Sequence, residues 1–215
     1  MLNDIFRAEK AMKYDEENEH YAELYERWFQ TKRYQVKNLL EIGVYKGGAL
    51  RSWLRYFPIA DVYGIDIKDK YNLSKKFNTE RSHFAIGNQI DNEFMLNVYP
   101  DIMFDVIIDD ASHIVEHQWK TFNFMFQRVA LGGTYIIEDI HTSYWPAFNG
   151  GYGRKNTFVE KAKTLVDMVN YKAYKIIDRA GQYKVKEEPT WLEKNIHSVS
   201  FYRGLCFIER KKAKL

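Results

Sequence analysis

The sequence predicts an α/β fold, Rossmann-like, with a mostly parallel seven-stranded sheet, helices on both faces and a C-terminal antiparallel hairpin. Three observations predict it. From Val36 onward short apolar runs alternate with amphipathic helical stretches, the pattern of a parallel sheet covered on both sides. The first such run, Asn38 to Gly43, passes through a glycine-bearing turn into a helical stretch, Gly48 to Tyr56. Near the end, His197 to Tyr202 and Leu205 to Glu209 are β-type runs parted only by Arg203-Gly204, which reads as an antiparallel hairpin.

The elements follow in order. Residues 1 to about 33 read as helical and polar, with Tyr21, Leu24, Tyr25, Trp28 and Phe29 at the three-and-four spacing that turns one stripe inward. This assigns 1–35 to an N-terminal helical cap and 36–215 to one domain. After the first strand and helix come strands at Asp61 to Ile67, His83 to Ile86 and Phe104 to Asp109, a helix at Val115 to Val129, and a strand at Thr134 to Glu138. Tyr144 to Gly153, rich in glycine and aromatics, is expected to loop over the sheet edge.

Composition narrows the function classes. With 215 residues and 46% hydrophobic content, the chain can bury one sizeable core. Its net charge of +3 comes from 32 basic and 29 acidic side chains spread along the chain, so nucleic acid is not the expected partner. The one local excess, Arg210, Lys211, Lys212 and Lys214, reads as a solvated end. The lone cysteine, Cys206, has no disulfide partner, and no run approaches the roughly 20 apolar residues that span a bilayer. The N-terminus lacks a signal-peptide pattern, so a cytoplasmic protein without a membrane partner is expected.

The first informative stretch is Leu39-Leu40-Glu41-Ile42-Gly43-Val44-Tyr45-Lys46-Gly47-Gly48. Glycine there lets a ligand approach the backbone, because no β-carbon intervenes. Its Glu-x-Gly-x-x-x-Gly-Gly pattern departs from the Gly-x-Gly-x-x-Gly that cradles a pyrophosphate, so a cofactor without phosphates is the better match. Gly43, Tyr45 and Gly47 are expected beside it, with Glu41 holding the ammonium of a methionine moiety. Asp66 ends the next strand, where an open sheet presents a carboxylate to ribose hydroxyls. Asn88 and Gln89 end the third, and Asn88 is placed to accept from an adenine amino group; Asp109 completes the cofactor set.

The strongest constellation is Ile107-Ile108-Asp109-Asp110-Ala111-Ser112-His113 together with Ile136-Ile137-Glu138-Asp139. In a parallel sheet the carboxyl ends of these strands share one rim, so Asp110, Glu138 and Asp139 can converge. Convergent carboxylates repel one another unless a cation lies between them, which points to Mg²⁺ or Mn²⁺. His113 follows Asp110 by three residues, within reach of a hydroxyl whose pKa such a cation lowers, and is expected to take its proton. His117, one turn further on, reads as packing or solvent-facing. Tyr144 and Trp145 are expected to form a substrate wall, since aromatic faces suit the apolar face of a sugar ring.

On Asp109-Asp110-x-Ser112-His113, Ile137-Glu138-Asp139 and Tyr144-Trp145-Pro146, the chain resembles the metal-dependent sugar O-methyltransferases of macrolide biosynthesis, within the class I S-adenosylmethionine-dependent superfamily. The resemblance runs from about Asn38 to Trp145, with a weaker echo in the terminal hairpin. It implies S-adenosylmethionine as cofactor, Mg²⁺ on Asp110, Glu138 and Asp139, His113 as base, a sugar or glycan hydroxyl as acceptor, and homo-oligomers, which are frequent in the family. The sequence departs from it at Asn88, where members commonly carry aspartate, and at Ala111, where glycine is frequent. Lys13, His20 and Tyr21 match a helical segment expected to cover cofactor or substrate. A catechol acceptor chelates a metal in the same way and stays open, as do a non-catalytic cofactor-binding module and a metal-dependent hydrolase.

Overall fold

A computed structural model describes residues 1–14, 20–171 and 188–213; Lys214 of the basic tail and residues 15–19 of the first helical segment lie outside it. Strands β1 (Asn38–Ile42), β2 (Asp61–Asp66), β3 (Ser82–Ile86), β4 (Phe104–Asp109), β5 (Val129–Ile137), β6 (Ile196–Phe201) and β7 (Cys206–Arg210) form one sheet in the order β3-β2-β1-β4-β5-β7-β6. The first five are parallel; β7 pairs antiparallel with both β5 and β6. The expected sheet and closing hairpin are both present.

Strand alternation divides the core into two layers, because neighbouring residues face opposite sides of the sheet. Leu39, Val106, Ile108 and Ile136 pack into one layer; Leu40, Ile42, Ile107 and Ile137 pack into the other. The first layer is closed by α1 (Leu2–Ala8), α2 (Tyr21–Phe29), α3 (Gly48–Tyr56) and α4 (Leu73–Phe77), through Phe6, Tyr25, Phe29, Trp53 and Phe77. The described residues of the N-terminal segment therefore share their core with α3. Buried positions 21, 22, 25 and 29 of α2 follow the helical period, so its inward stripe arises as expected, with Leu24 and Trp28 only partly buried.

The second layer holds α5 (Asn92–Asn97), α6 (Val115–Met125), α7 (Phe158–Ala162), α8 (Leu165–Val169) and α9 (Trp191–Asn195). Helix α6 stops short of the predicted Val129: a 3-10 turn at Phe126–Arg128 intervenes, and Val129 already pairs with Phe104. Arg128 fixes this break by donating to the carbonyls of Leu96 and Ile102. The first two residues of the basic tail, Arg210 and Lys211, are likewise anchored, which corrects their reading as part of a solvated end, whereas Lys212 is exposed as expected. Arg210 donates to Gln127 O at 3.0 Å and Lys211 to the carbonyls of Glu193 and Lys194 at 2.9 Å each. No helix among the described residues is long and apolar enough to cross a membrane.

Candidate active site

The carboxyl ends of β1 to β5 share one rim, and the strand order reverses between β1 and β4, where open α/β sheets leave a crevice. Single backbone bonds continue the sheet past the strand ends: Gly43 N to Ile65 O at 2.8 Å, Asp110 N to Ile42 O at 2.9 Å and Glu138 N to Asp109 O at 3.0 Å. A β-carbon on Gly43, whose φ is +92°, would lie 2.2 Å from Asp110 O. The glycine is thus required by the β4 loop itself, a reason the sequence did not disclose.

Two cavities open at this point, and Gly43, Asp66 and Ala111 border both. The larger, about 530 Å³, is walled by Lys13, Glu41, Tyr45, Asp110, His113, Glu138 and Asp139. The smaller, about 310 Å³, is walled by Ile67, Gly87, Asn88, Gln89, Ser112 and His117.

The acids of the larger cavity are held by the N-terminal segment. Lys13 is 4% exposed, and its ammonium donates to Asp110 Oδ2 and to Glu138 Oε1 at 2.7 Å, with Glu41 Oε1 at 3.3 Å. One turn apart on α2, the Tyr21 hydroxyl donates to Asp139 Oδ1 at 2.9 Å and the Tyr25 hydroxyl to Glu138 Oε1. Asp110 and Asp139 each keep a second oxygen directed at His113, whose Nε2 lies 3.9 Å from Asp110 Oδ1 and 3.5 Å from Asp139 Oδ2. Ligand atoms of Asp110, His113 and Asp139 all fall within 4.8 Å of one another. Glu138 stands apart from that point, because Lys13 and Tyr25 claim its Oε1 from behind.

Charge is incompletely balanced here. Burial opposes the charged form of Lys13, yet Asp110, Glu138 and Glu41 outweigh it and hold the ammonium well above its ordinary range. Burial pushes Glu41 up to about 7, and burial together with Asp110 pushes Glu138 up as well. One lysine does not offset the acids around it, and hard oxygen donors short of positive charge are the chemistry that Mg²⁺ or Mn²⁺ satisfies. Beyond the ion pair of its Oε1 with Lys13, the wholly buried Glu41 accepts no hydrogen bond, which leaves its carboxylate short of donors and suits an incoming ammonium.

Other expected residues are placed as follows. Asp66 Oδ2 accepts from the amides of Val44 at 3.0 Å and Tyr45 at 2.9 Å, so it braces the glycine turn as well as facing both cavities. Gly47 caps α3 behind the Phe77 ring and borders neither cavity. Asn88 Oδ1 accepts from Ile90 N at 3.2 Å. Gln89 is buried, donating to Asp109 Oδ1 at 3.2 Å and Thr121 Oγ1 at 3.1 Å while accepting from Ser112 N. Asp109 is 1% exposed and also accepts from the Tyr135 hydroxyl; it lies behind the wall rather than on it, and burial pushes it up to about 7. His117 Nδ1 sits 2.9 Å from Ser112 Oγ, on the smaller cavity and away from His113's acids.

Tyr144 and Trp145 are exposed on a 3-10 segment outside both cavities. Phe148 stands edge-on to His113, 6.2 Å away, and lies 6.1 Å from Trp145. Phe148, Tyr25 and Thr142 carry no motif of their own. For Tyr25 the sequence offered one signal, tyrosines four apart on the buried stripe of α2.

Comparison with known proteins fits this geometry. No family model matches the chain. It is 36% identical over 200 residues to the 8-demethyl-8-alpha-L-rhamnosyl tetracenomycin-C 2'-O-methyltransferase of Streptomyces olivaceus, covering 89% of this chain and 50% of that protein. It is 33% identical to the mycinamicin VI 2''-O-methyltransferase of Micromonospora griseorubida, covering 86% and 47%. Among solved structures, the MycE methyltransferase of the mycinamycin pathway in complex with Mg and SAH superposes with a TM-score of 0.86 at 30% identity, over 99% of this chain and 54% of that one. The chain spans about half the length of the curated relatives it matches.

Proposed function

The chain is homologous, over nearly all its length, to about half of each of these bacterial sugar O-methyltransferases and has the class I methyltransferase fold; on that premise we propose that it is an S-adenosylmethionine- and Mg²⁺-dependent O-methyltransferase acting on a hydroxyl of a sugar or glycosylated small molecule. Asp110, His113 and Asp139 converging beside two cavities that meet at Gly43 is the observation that carries this reading.

Residues 1–35 act as a cover that brings Lys13, Tyr21 and Tyr25 onto the acids of the methyltransferase domain, 36–215. The smaller cavity, with Asn88 and Gln89, takes the adenine end of the cofactor, Asp66 the ribose, and Glu41 the methionine ammonium. Asp110 and Asp139 would hold the divalent ion; Glu138, expected as the third acid, stands beside them with its Oε1 bound to Lys13 and Tyr25. Bound there, the ion supplies Lewis-acid polarisation of acceptor hydroxyls, and the cofactor supplies the methyl group.

His113 then does the proton work. Its Nε2 would take the acceptor's hydroxyl proton, freeing that oxygen to receive the methyl group the bound cofactor would supply. The ring is oriented by the two acids, its Nε2 lying 3.5 Å from Asp139 Oδ2 and 3.9 Å from Asp110 Oδ1. Orientation of the acceptor against this nitrogen falls to the rings of Phe148 and Trp145, with Tyr144, stacked on Tyr152, as the outer part of the substrate wall. The lone buried Cys206 accords with a reducing compartment such as the cytoplasm.

The test is methyl transfer from labelled S-adenosylmethionine to a panel of sugars, glycosides and catechols, with Mg²⁺, with Mn²⁺ and with chelator. Transfer to a glycosyl hydroxyl that chelator abolishes is expected. Preferential transfer to catechols, or turnover indifferent to chelator, overturns the proposal.

A further inference from the structure

Ladder pairing between β4 and β5 ends at Asp109 and Ile137, and Glu138 N to Asp109 O is the last rung. The side chains assigned to the chemistry lie beyond it, on the two rim segments 110–114 and 138–142. His113 and Asp139 both occupy the left-handed region, at φ +55° and +53°. Non-glycine residues persist there only where their surroundings fix them.

One side chain reaches both. Thr142, 2% exposed, places its Oγ1 3.0 Å from His113 O and 2.8 Å from Asp139 O, and its amide donates to Asp139 O at 2.9 Å. A threonine hydroxyl bonded three residues back is ordinary in a 3-10 turn. The bond to His113, 29 residues away, is not explained by that turn. The neighbouring Ser143 has a separate task, accepting from Val159 N.

We propose that Thr142 is a positioning residue: its hydroxyl, sharing its one proton between the carbonyls of His113 and Asp139 while its amide holds Asp139 O, couples the two backbones and thereby sets the distance between His113 Nε2 and Asp139 Oδ2. The assignment rests on the functional reading above, in which these two groups act on one acceptor. Valine matches threonine in shape and lacks the hydroxyl, whereas serine keeps the hydroxyl and loses the methyl.

The experiment compares the full chain with Thr142→Val and Thr142→Ser by steady-state kinetics, by Mn²⁺ affinity from electron paramagnetic resonance, and by calorimetry with S-adenosylhomocysteine. For Thr142→Val, kcat is expected to fall about 10- to 100-fold through misplacement of the reacting groups. Its KM for the cofactor should stay within about twofold, the mark of an interaction used in the transition state. Mn²⁺ binding should weaken with it, S-adenosylhomocysteine affinity should not, and Thr142→Ser should recover most of both losses.

A valine variant with wild-type kcat and Mn²⁺ affinity overturns the proposal, as does a serine variant no better than valine, which would assign the effect to packing. Thr142→Ala, also without the hydroxyl, reads the same losses if the valine chain does not fold. Should the wild-type chain methylate no acceptor, the functional reading fails, and the Mn²⁺ comparison still decides whether Thr142 positions Asp139.

Discussion

Lys13 brings one positive charge to the place where Glu41, Asp110 and Glu138 meet. Removing one partner of a buried ionic network costs about 3–5 kcal/mol, because the charges left behind stay uncompensated. Lys13→Met is therefore expected to melt well below the wild type in chelator, and Mg²⁺ to raise the Tm of the variant more than that of the wild type. Equal melting in chelator would contradict the role given to Lys13. His117 makes a second residue-scale case. Burial lowers its pKa below the ordinary 6.5, so below that pH the unfolded chain binds more protons than the folded one. Its contribution to stability is present above pH 6.5 and is lost as acidification proceeds toward the folded value. An NMR titration of the ring should give a midpoint under 6.5, and a midpoint at or above it would contradict the burial argument.

At the scale of elements, the turn after β1 shows what the sequence conveyed and what it did not. Glu41, Gly43 and Asp66 stood out because a strand ending in an acid or a glycine is conspicuous within an apolar run. The reason for Gly43 was hidden, since Asp110 O, which would meet its β-carbon, lies 67 residues away and only pairing of β1 with β4 brings it there. Gly43→Ala should cost roughly 3 kcal/mol or more, combining overpacking with the positive φ. Urea unfolding measures this, and a loss under about 1 kcal/mol would mean the two strand ends part easily. The N-terminal helices show the same limit. Their apolar stripe was legible from its spacing, but that Tyr21 and Tyr25 end on Asp139 and Glu138 depends on long-range packing that no local pattern encodes.

Across the whole molecule, the succession of strands along the chain and the closing hairpin followed from periodicity, because both layers of the core need apolar residues and the chain supplies them run by run, whereas the order of the strands within the sheet did not. The rim acids were legible for the same reason: parallel strands put their carboxyl ends on one side. What escaped was the division of labour among them. Asp110 and Asp139 look outward to His113, while Glu138 looks back to Lys13 and Tyr25, a distinction made by side-chain direction and not by spacing. The central claim is that the outward pair, beside the Gly43 crevice, binds a divalent cation next to the methyl donor. Anomalous diffraction at the manganese edge, from crystals grown with Mn²⁺ and S-adenosylhomocysteine, tests it most directly. The expected result is an anomalous peak coordinated by Asp110 and Asp139 near His113, with the nucleoside lying along Asp66. A cofactor bound there with no peak at those acids, or a peak held elsewhere, would contradict it.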